Sequence, residues 1–361
     1  MAKKTTAREV AELAGVSRTT VSMILNQTPD IRFSQETRER VLAACRELGY
    51  EPPSKARQGV QRQKLLLAVC PSYENFHYGR LVERLQAKAL ELGYHLIAYS
   101  TFRDSAVEGN LQTFCREVPV SGVLFLYNPE NSSIISRLSQ ELPVLLVYDK
   151  SVSSDIDVVE LDNFKVGRII AEHLLQLGHR HVAAVFPSLS EKHLGRLRRV
   201  EGMQEVFRRQ GLDPGRYLQI LVPQPGDVAQ WQTASGYDVG FALATRVIEE
   251  DSRGTAFVGN NDMSAFGIMD AILTQGKRIP KDYSVIGCDN LTVSGFKRVG
   301  LTSVDPFSAQ RAQEAVRVIV QKIERKGQKS FLPVETVRVA YEPKLIRRDT
   351  TDKAPQREEK E

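Results

Sequence analysis

Residues 9–26 read EVAELAGVSRTTVSMILN, two short segments with apolar faces broken by a glycine. Thr6 and Glu9 stand at the spacing of a capping box, and Val10, Leu13 and Ala14 then fall on one helical face. Gly15 supplies the positive φ that a tight turn needs. Ser17 is the next N-cap, opening a second helix through about Asn26 with Val21, Ile24 and Leu25 turned inward. A third helix starts at Ser34, carries Val41, Leu42, Cys45 and Leu48, and ends at Gly49 before Tyr50 and Pro52-Pro53. Ala11 leaves room for the second helix to cross closely, and Val21 fills the angle. The pattern predicts a helix-turn-helix, whose second helix enters the DNA major groove. Arg18, Thr19 and Thr20, with Met23 one turn later, are placed to meet base edges: an arginine fork suits guanine, and a threonine methyl suits thymine. Thr6 and Ser17 at the helix N-termini, with Arg8, Arg32 and Arg38, are assigned to phosphates. Asn26 joins the DNA-contacting set. The competing reading is a three-helix module for protein contact.

Charge favours the first reading. Residues 1–64 hold 12 Lys+Arg and 7 Asp+Glu, which is the whole of the chain's formal +5. A basic head on a neutral body points to a polyanion partner. The length of 361 residues predicts two or three domains. No run of about 18 apolar residues occurs, so no membrane span is expected. The start, MAKKTTAREVAELAG, has charges where an export signal needs an apolar stretch, so a cytoplasmic location is expected. Cys45, Cys70, Cys115 and Cys288 are scattered, as reduced and buried thiols would be.

After Lys64 the pattern becomes alternating strand and helix. Apolar runs at Leu65–Cys70, His95–Tyr99, Gly122–Leu126, Val144–Tyr148, Val182–Phe186, Ala256–Val258 and Ser284–Cys288 read as buried parallel strands. A helix over Tyr78–Leu92 separates the first two. Helix-glycine-strand junctions recur at Gly93, Gly178, Gly211 and Gly276. Alternation of this kind predicts a doubly wound α/β body, and about 280 residues of it predict two lobes with a cleft between them.

The runs EVAELAGVSRTTVSMILN and SQETRERVLAACRELGYEP resemble the DNA-binding head of the lactose-repressor (LacI/GalR) type of bacterial transcription regulators. The stretches VVELDNFKVGRIIAEHLLQLGH, TAFVGNNDMSAFGIMDAI and DYSVIGCDN extend the resemblance over nearly the whole chain. It implies an all-α helix-turn-helix head and an α/β body similar to periplasmic sugar-binding proteins, with two doubly wound lobes joined by three crossovers. The expected domains are a head at 1–50, a hinge at 51–63, and an effector-binding and dimerisation body at 64–346. Within the body the N-lobe is expected at about 64–161 and 292–324, and the C-lobe at about 162–291 and 325–346. Crossings are expected near Leu161–Asn163, Asn290–Leu291 and Lys322–Gln328. Residues 347–361 read as a polar, disordered tail. In the hinge, Ala56 and Arg57 fit the family's short minor-groove helix, but Gly59 stands where a wedging leucine is expected, and the TPDIRF loop looks slightly long. Weak DNA bending follows.

Polar residues fall at strand ends: Asp149, Asn261, Asp262 and Asp289. Such groups are costly to bury unless paired or liganded. The resemblance places Asp149, Arg199, Asn261 and Asp289 at effector-contacting positions. Trp231, the single tryptophan, resembles a sugar-stacking position. Tyr73, Phe76 and Tyr78 match an aromatic segment. Asp262 is read first as a lobe-stabilising cap, and Pro306 supplies no polar contact. The expected ligand is a carbohydrate, and a neutral one. No G-x-S-x-G, H-E-x-x-H, P-loop or Rossmann fingerprint is present, so no enzyme, cofactor or metal is expected. His179 and His181 read as a solvated loop. The partners expected are a pseudo-palindromic duplex operator, a small effector and a second copy of the chain, because one helix-turn-helix spans too few base pairs. The alternatives are a solute receptor and a regulator governed by a protein partner.

Overall fold

The structure, a computed structural model, describes residues 6–25, 33–48, 50, 64–148, 156–224, 235–250, 253–326 and 336–356. Asn26, Arg32, the hinge with Ala56, Arg57 and Gly59, Asp149 and Trp231 lie outside the described residues. The chain divides into two units, Met1–Arg62 and Gln63–Glu361.

The first unit holds α1 (Ala7–Ala14), α2 (Arg18–Leu25) and α3 (Gln35–Glu47). Thr6 caps α1 in a reciprocal box: its hydroxyl accepts from the Glu9 N–H, and its own N–H donates to the Glu9 carboxylate at 2.7 Å. Gly15 takes φ 64° and ends the helix. The Ser17 hydroxyl accepts from the Thr20 N–H at 3.1 Å, and Ser34 caps α3 in the same way through Thr37. Val10, Ala11, Ala14, Val21, Ile24, Val41, Ala44 and Cys45 form the core. Leu13 and Leu42 do not join it: they are 48% and 45% exposed. The buried stripe on α1 runs through Val10, Ala11 and Ala14, which leaves Leu13 on its flank.

The second unit begins with β1 (Leu65–Cys70), α4 (Phe76–Glu91), β2 (His95–Ser100), α5 (Ser105–Gly109), α6 (Leu111–Glu117), β3 (Gly122–Phe125), α7 (Ser133–Glu141), β4 (Val144–Leu146) and β5 (Asp157–Leu161). The chain then leaves this sheet. It builds a second one from α8 (Asn163–Gln176), β6 (Val182–Val185), α9 (Leu194–Arg209), α10 (Pro214–Tyr217), β7 (Leu218–Leu221), α11 (Gly236–Glu249), β8 (Ala256–Gly259), α12 (Asp262–Thr274), β9 (Ser284–Cys288) and β10 (Thr302–Asp305). Next, α13 (Ser308–Lys326) and β11 (Arg338–Tyr341) return to the first lobe, and β12 (Lys344–Ile346) to the second. Among the described residues each sheet has six strands, ordered β11-β5-β4-β3-β1-β2 and β12-β10-β9-β8-β6-β7. All pairings are parallel except β10–β12. Each sheet carries an apolar cluster on both faces, as a doubly wound lobe requires.

Four expectations are corrected. The second crossing falls after Asp305, not at Asn290–Leu291, because β10 pairs in parallel with β9 through Thr302–Ile286 and Val304–Cys288. The third falls between Tyr341 and Lys344: β11 pairs with β5 of the first sheet, so Arg338–Tyr341 belongs to the N-lobe. Residues 347–356 are also no loose tail. The Thr350 hydroxyl accepts from Thr302 N–H and donates to the Val285 carbonyl, and the Ala354 N–H reaches the Leu177 carbonyl at 2.9 Å. Hydropathy misses this strap because hydrogen bonds from small polar residues hold it. His179, expected in solvent, is fully buried beneath it, with ring nitrogens 2.9 Å from Thr255 Oγ1 and from the Asp352 carbonyl oxygen. The four cysteines are buried and free of disulfides.

Candidate functional site

In the head, Arg18 and Thr19 are exposed, and Thr20 and Met23 half-buried, on the first turns of α2. The Ser17 hydroxyl is engaged in capping α2, so its contribution to a phosphate comes through the helix terminus rather than the free side chain. Arg8 is tied to Glu12 at 3.0 Å on the exposed side of α1.

In the body, loops at the carboxyl ends of strands from both sheets line one cleft of about 220 Å3, somewhat below the roughly 300–1,000 Å3 of drug-sized ligand sites. The N-lobe wall takes Tyr127 and Asn128 after β3, Val147 and Tyr148 after β4, and the start of α4; the C-lobe wall takes Asn260, Asn261, Asp289 and the first turns of α9. Pro306 lines the second crossing.

Of the residues singled out from sequence, the structure brings Tyr78, Arg199, Asn261 and Asp289 to this wall. Arg199 is 9% exposed; it donates to the Asn260 carbonyl, and its Nη2 reaches Asn163 Oδ1 at 2.6 Å. Asn261 caps α12, its Oδ1 accepting from the Ser264 N–H at 2.9 Å. Asp289 stands at φ 123° and Asn290 at φ 46°, a sparsely populated backbone for residues with a Cβ. The surroundings hold that turn: Asn290 N–H donates to Ser303 Oγ at 3.0 Å, and Arg348 donates to Asn290 Oδ1 at 2.6 Å. Asp289 faces His77 of the opposite lobe, Oδ1 to Nδ1 3.3 Å, and Arg80 reaches the Asn290 carbonyl at 3.2 Å. The lobes meet through these contacts.

Tyr73 and Phe76 lie off the wall, 52% and 58% exposed. Asn75 caps α4, and the buried side of the helix runs through Leu81, Leu85 and Ala89. That register turns Phe76 outward, brings Tyr78 of the same aromatic segment to the cleft, and adds Asn75 and His77. Asp262 is a buried strut behind the wall: it accepts from Leu291 N–H at 2.8 Å and from the hydroxyls of Ser294 and Ser303 at 2.5 Å. Burial, with the nearby Asp289 charge, raises its carboxyl to about 6.

The sequence reading missed Arg103, Arg196 and Arg311, all on the wall. Arg196 was detectable, since it precedes Arg199 by three positions on one helix face. Arg103 and Arg311 carry no local signal: one sits in a loop at φ 56°, the other opens α13, and tertiary closure alone brings them together. No group of three or more His, Cys, Asp or Glu among the described residues is arranged to hold a metal, and no described helix is long and apolar enough to cross a membrane.

Residues 6–53 match the family of bacterial regulatory proteins of the lacI type, and residues 171–351 match the periplasmic binding protein-like domain. The transcriptional regulator DegA of Bacillus subtilis (strain 168) is 29% identical over 343 residues, covering 92% of this chain and 97% of its own. The transcriptional repressor PurR of Mannheimia succiniciproducens is 26% identical, covering 96% of this chain and 99% of its own. The lac repressor dimer bound to operator and the anti-inducer ONPF is 25% identical, with a TM-score of 0.65 over 97% of this chain and all of that one. These relatives are regulators. The chain belongs to the lacI family of bacterial regulatory proteins: a transcriptional regulator rather than an enzyme, with a helix-turn-helix head and a two-lobed ligand-binding body.

Proposed function

We propose that this regulator is a cytoplasmic homodimeric repressor that reads a pseudo-palindromic operator and is tuned by a small carbohydrate or carbohydrate derivative held between its lobes. The observation that carries the reading is the exposed Arg18–Thr19 face on a helix-turn-helix joined to a body with a polar interlobe cleft. Arg18, Thr19, Thr20 and Met23 read bases, while Thr6, Ser17, Asn26 and Arg32 position the head. Ala56 and Arg57 serve the hinge. Arg199, Asn261 and Asp289 contact the effector, joined by Asp149 and Trp231. The relative named as a lac repressor dimer on its operator supports the dimer and the duplex partner.

Ligand binds the closed cleft more tightly than the open one, and so shifts the tilt of the N-lobe and the spacing of the paired heads. A coupling of about 1–3 kcal/mol between the two sites is the ordinary scale of such control. The test is selection of binding sites from random duplexes by the full-length protein, with and without candidate sugars. A two-fold related motif is expected, and Arg18→Ala is expected to relax preference at one position of each half-site by about 1–3 kcal/mol. Unchanged selectivity removes Arg18 from the base readers. No enriched duplex removes the repressor reading.

A further inference from the structure

The described wall of the cleft carries the guanidinium groups of Arg103, Arg196, Arg199 and Arg311 against one carboxylate, Asp289. Two of these cations come from each lobe: Arg103 and Arg311 from the N-lobe, Arg196 and Arg199 from α9. Among the described residues, the hydrogen-bond acceptors of Arg196 and Arg199 are not carboxylates. Arg196 donates to the carbonyl and hydroxyl oxygens of Ser188, at 3.1 and 2.5 Å. Arg199 donates to a carbonyl and an amide oxygen. Both sets of acceptors are neutral. Arg103 lies over the Tyr127 ring, 4.9 Å from its centroid, and 3.6 Å from Glu130. The buried Nε of Arg199 has no hydrogen-bond acceptor among the described residues, and Nη1 of Arg103 faces the Glu130 carboxylate at 3.6 Å.

A cation drawn from water is costly unless an opposite charge meets it. Neutral hydroxyls satisfy donors but leave that charge standing. Burial, with Arg103 and Arg199 close by, lowers the Arg196 guanidinium to about 10. A planar fork of donors matches the oxygens of a phosphate or carboxylate.

We infer that the cleft takes an acidic ligand, a polyhydroxylated small molecule whose phosphate or carboxylate group sits among Arg103, Arg196 and Arg199. This rests on reading the cleft as the effector site, and it replaces the neutral sugar expected from sequence. It also supplies a closing force. The anion bridges cations of opposite lobes that otherwise repel, so it stabilises the closed arrangement over the open one.

The test is calorimetric titration of the full-length protein in phosphate-free buffer with glucose, glucose 6-phosphate, gluconate and inorganic phosphate. The phosphorylated and carboxylated compounds separate the two sources of charge. At least one acid is expected to bind about tenfold or more tightly than glucose, and to weaken as salt is raised. Inorganic phosphate, which offers charge without hydroxyls, is expected to bind weakly at the same site. Arg196→Met and Arg103→Met are each expected to remove the preference, with circular dichroism confirming the fold; Arg103 is on a part-exposed loop and serves if Arg196→Met does not fold. Glucose binding as tightly as both acids overturns the inference. So does acid binding that survives both substitutions, or no acid bound at roughly 10 mM. Duplex selection reports separately: if a duplex is selected but no acid is preferred, only the ligand class falls, and if acids bind but no duplex is selected, only the repressor reading falls.

Discussion

In the C-lobe, a Cβ on Gly202 of α9 would stand 2.0 Å from the Phe164 carbonyl oxygen of α8, and one on Gly167 would stand 1.9 Å from the Arg199 carbonyl oxygen. In the N-lobe, a Cβ on Gly122 of β3 would meet the tip of the Ile319 side chain at 2.9 Å. The strand orders of the two lobes correspond, but their helices are held by different means. The α8–α9 pair is fixed backbone to backbone, and α11–α12 repeats the device through Gly240 and Gly267. Side chains such as Leu81, Leu85 and Ile319 separate the N-lobe helices from their neighbours, and these adjust by rotamer. The consequence reaches the cleft. Arg199 and its partner Asn163 sit on the two helices that the glycines join, so the C-lobe side of the site is preorganised.

The largest expected effect tests that contrast. Gly202→Ala is expected to cost more than ~3 kcal/mol in urea unfolding, because backbone must move, whereas Gly122→Ala costs about 1 kcal/mol or less because Ile319 can turn aside. Equal costs would break the comparison. Gly202→Ala should also weaken effector binding by displacing Arg199, while Gly122→Ala leaves it unchanged.

A second contrast lies within the C-lobe. Asp262→Ala strands the Leu291 N–H and two hydroxyls and is expected to cost about 2 kcal/mol. Asp262→Asn keeps an acceptor for Leu291 and lets a serine hydroxyl rotate, so a loss below about 1 kcal/mol is expected. Thermal melts of the two variants check the difference; equal losses would show that charge, not hydrogen bonding, is what the site uses.

The smallest expected effect is the net response of the unaltered protein to pH, where two buried groups of this lobe oppose each other. Burial lowers the His173 imidazole to about 4, with Arg347 and His179 adding to the effect. The unfolded chain then binds this proton more readily than the native one. Stability from His173 is therefore lost as pH falls from about 6.5 towards 4. Asp262 is raised to about 6, so the native state binds its proton more readily, and stability from this group is gained as pH falls from 6 towards 4. Melting midpoints between pH 4 and 7 are expected to be steeper in Asp262→Asn than in the unaltered protein, and flatter or reversed in His173→Gln. The His173 Nε2 to Thr351 Oγ1 contact of 3.0 Å ties the second response to the C-terminal strap. The same slope in all three proteins would contradict both assignments.

Local signals in the sequence account for the head and most of the strands. Thr6 with Glu9, Ser17 and Gly15 announce helix ends by chemistry that acts within three or four residues. Leu65–Cys70 and Ser284–Cys288 are continuous apolar runs because both faces of each strand are covered. The first crossing falls at Leu161–Asn163 as expected, but the second and third were not legible for the converse reason. Thr302–Asp305 and Arg338–Tyr341 are short and mixed in polarity, and their sheet is chosen by partners such as Ile286 and Val159, far away in sequence. Arg199, Asn261 and Asp289 were found because each follows a recognisable pattern. Phe76 was misplaced by its neighbours' helical register, and Arg103 and Arg311 acquire their role from a closure that joins segments 208 positions apart.

The central claim is that occupancy of the arginine-lined cleft sets the grip of the head on DNA. The direct measurement is fluorescence anisotropy of a selected operator duplex, titrated with full-length protein in phosphate-free buffer, with and without a saturating concentration of the tightest-binding acid. The operator dissociation constant is expected to move by roughly 5–150-fold, and Arg196→Met is expected to abolish the shift. An operator affinity that stays the same with the cleft filled would contradict the account.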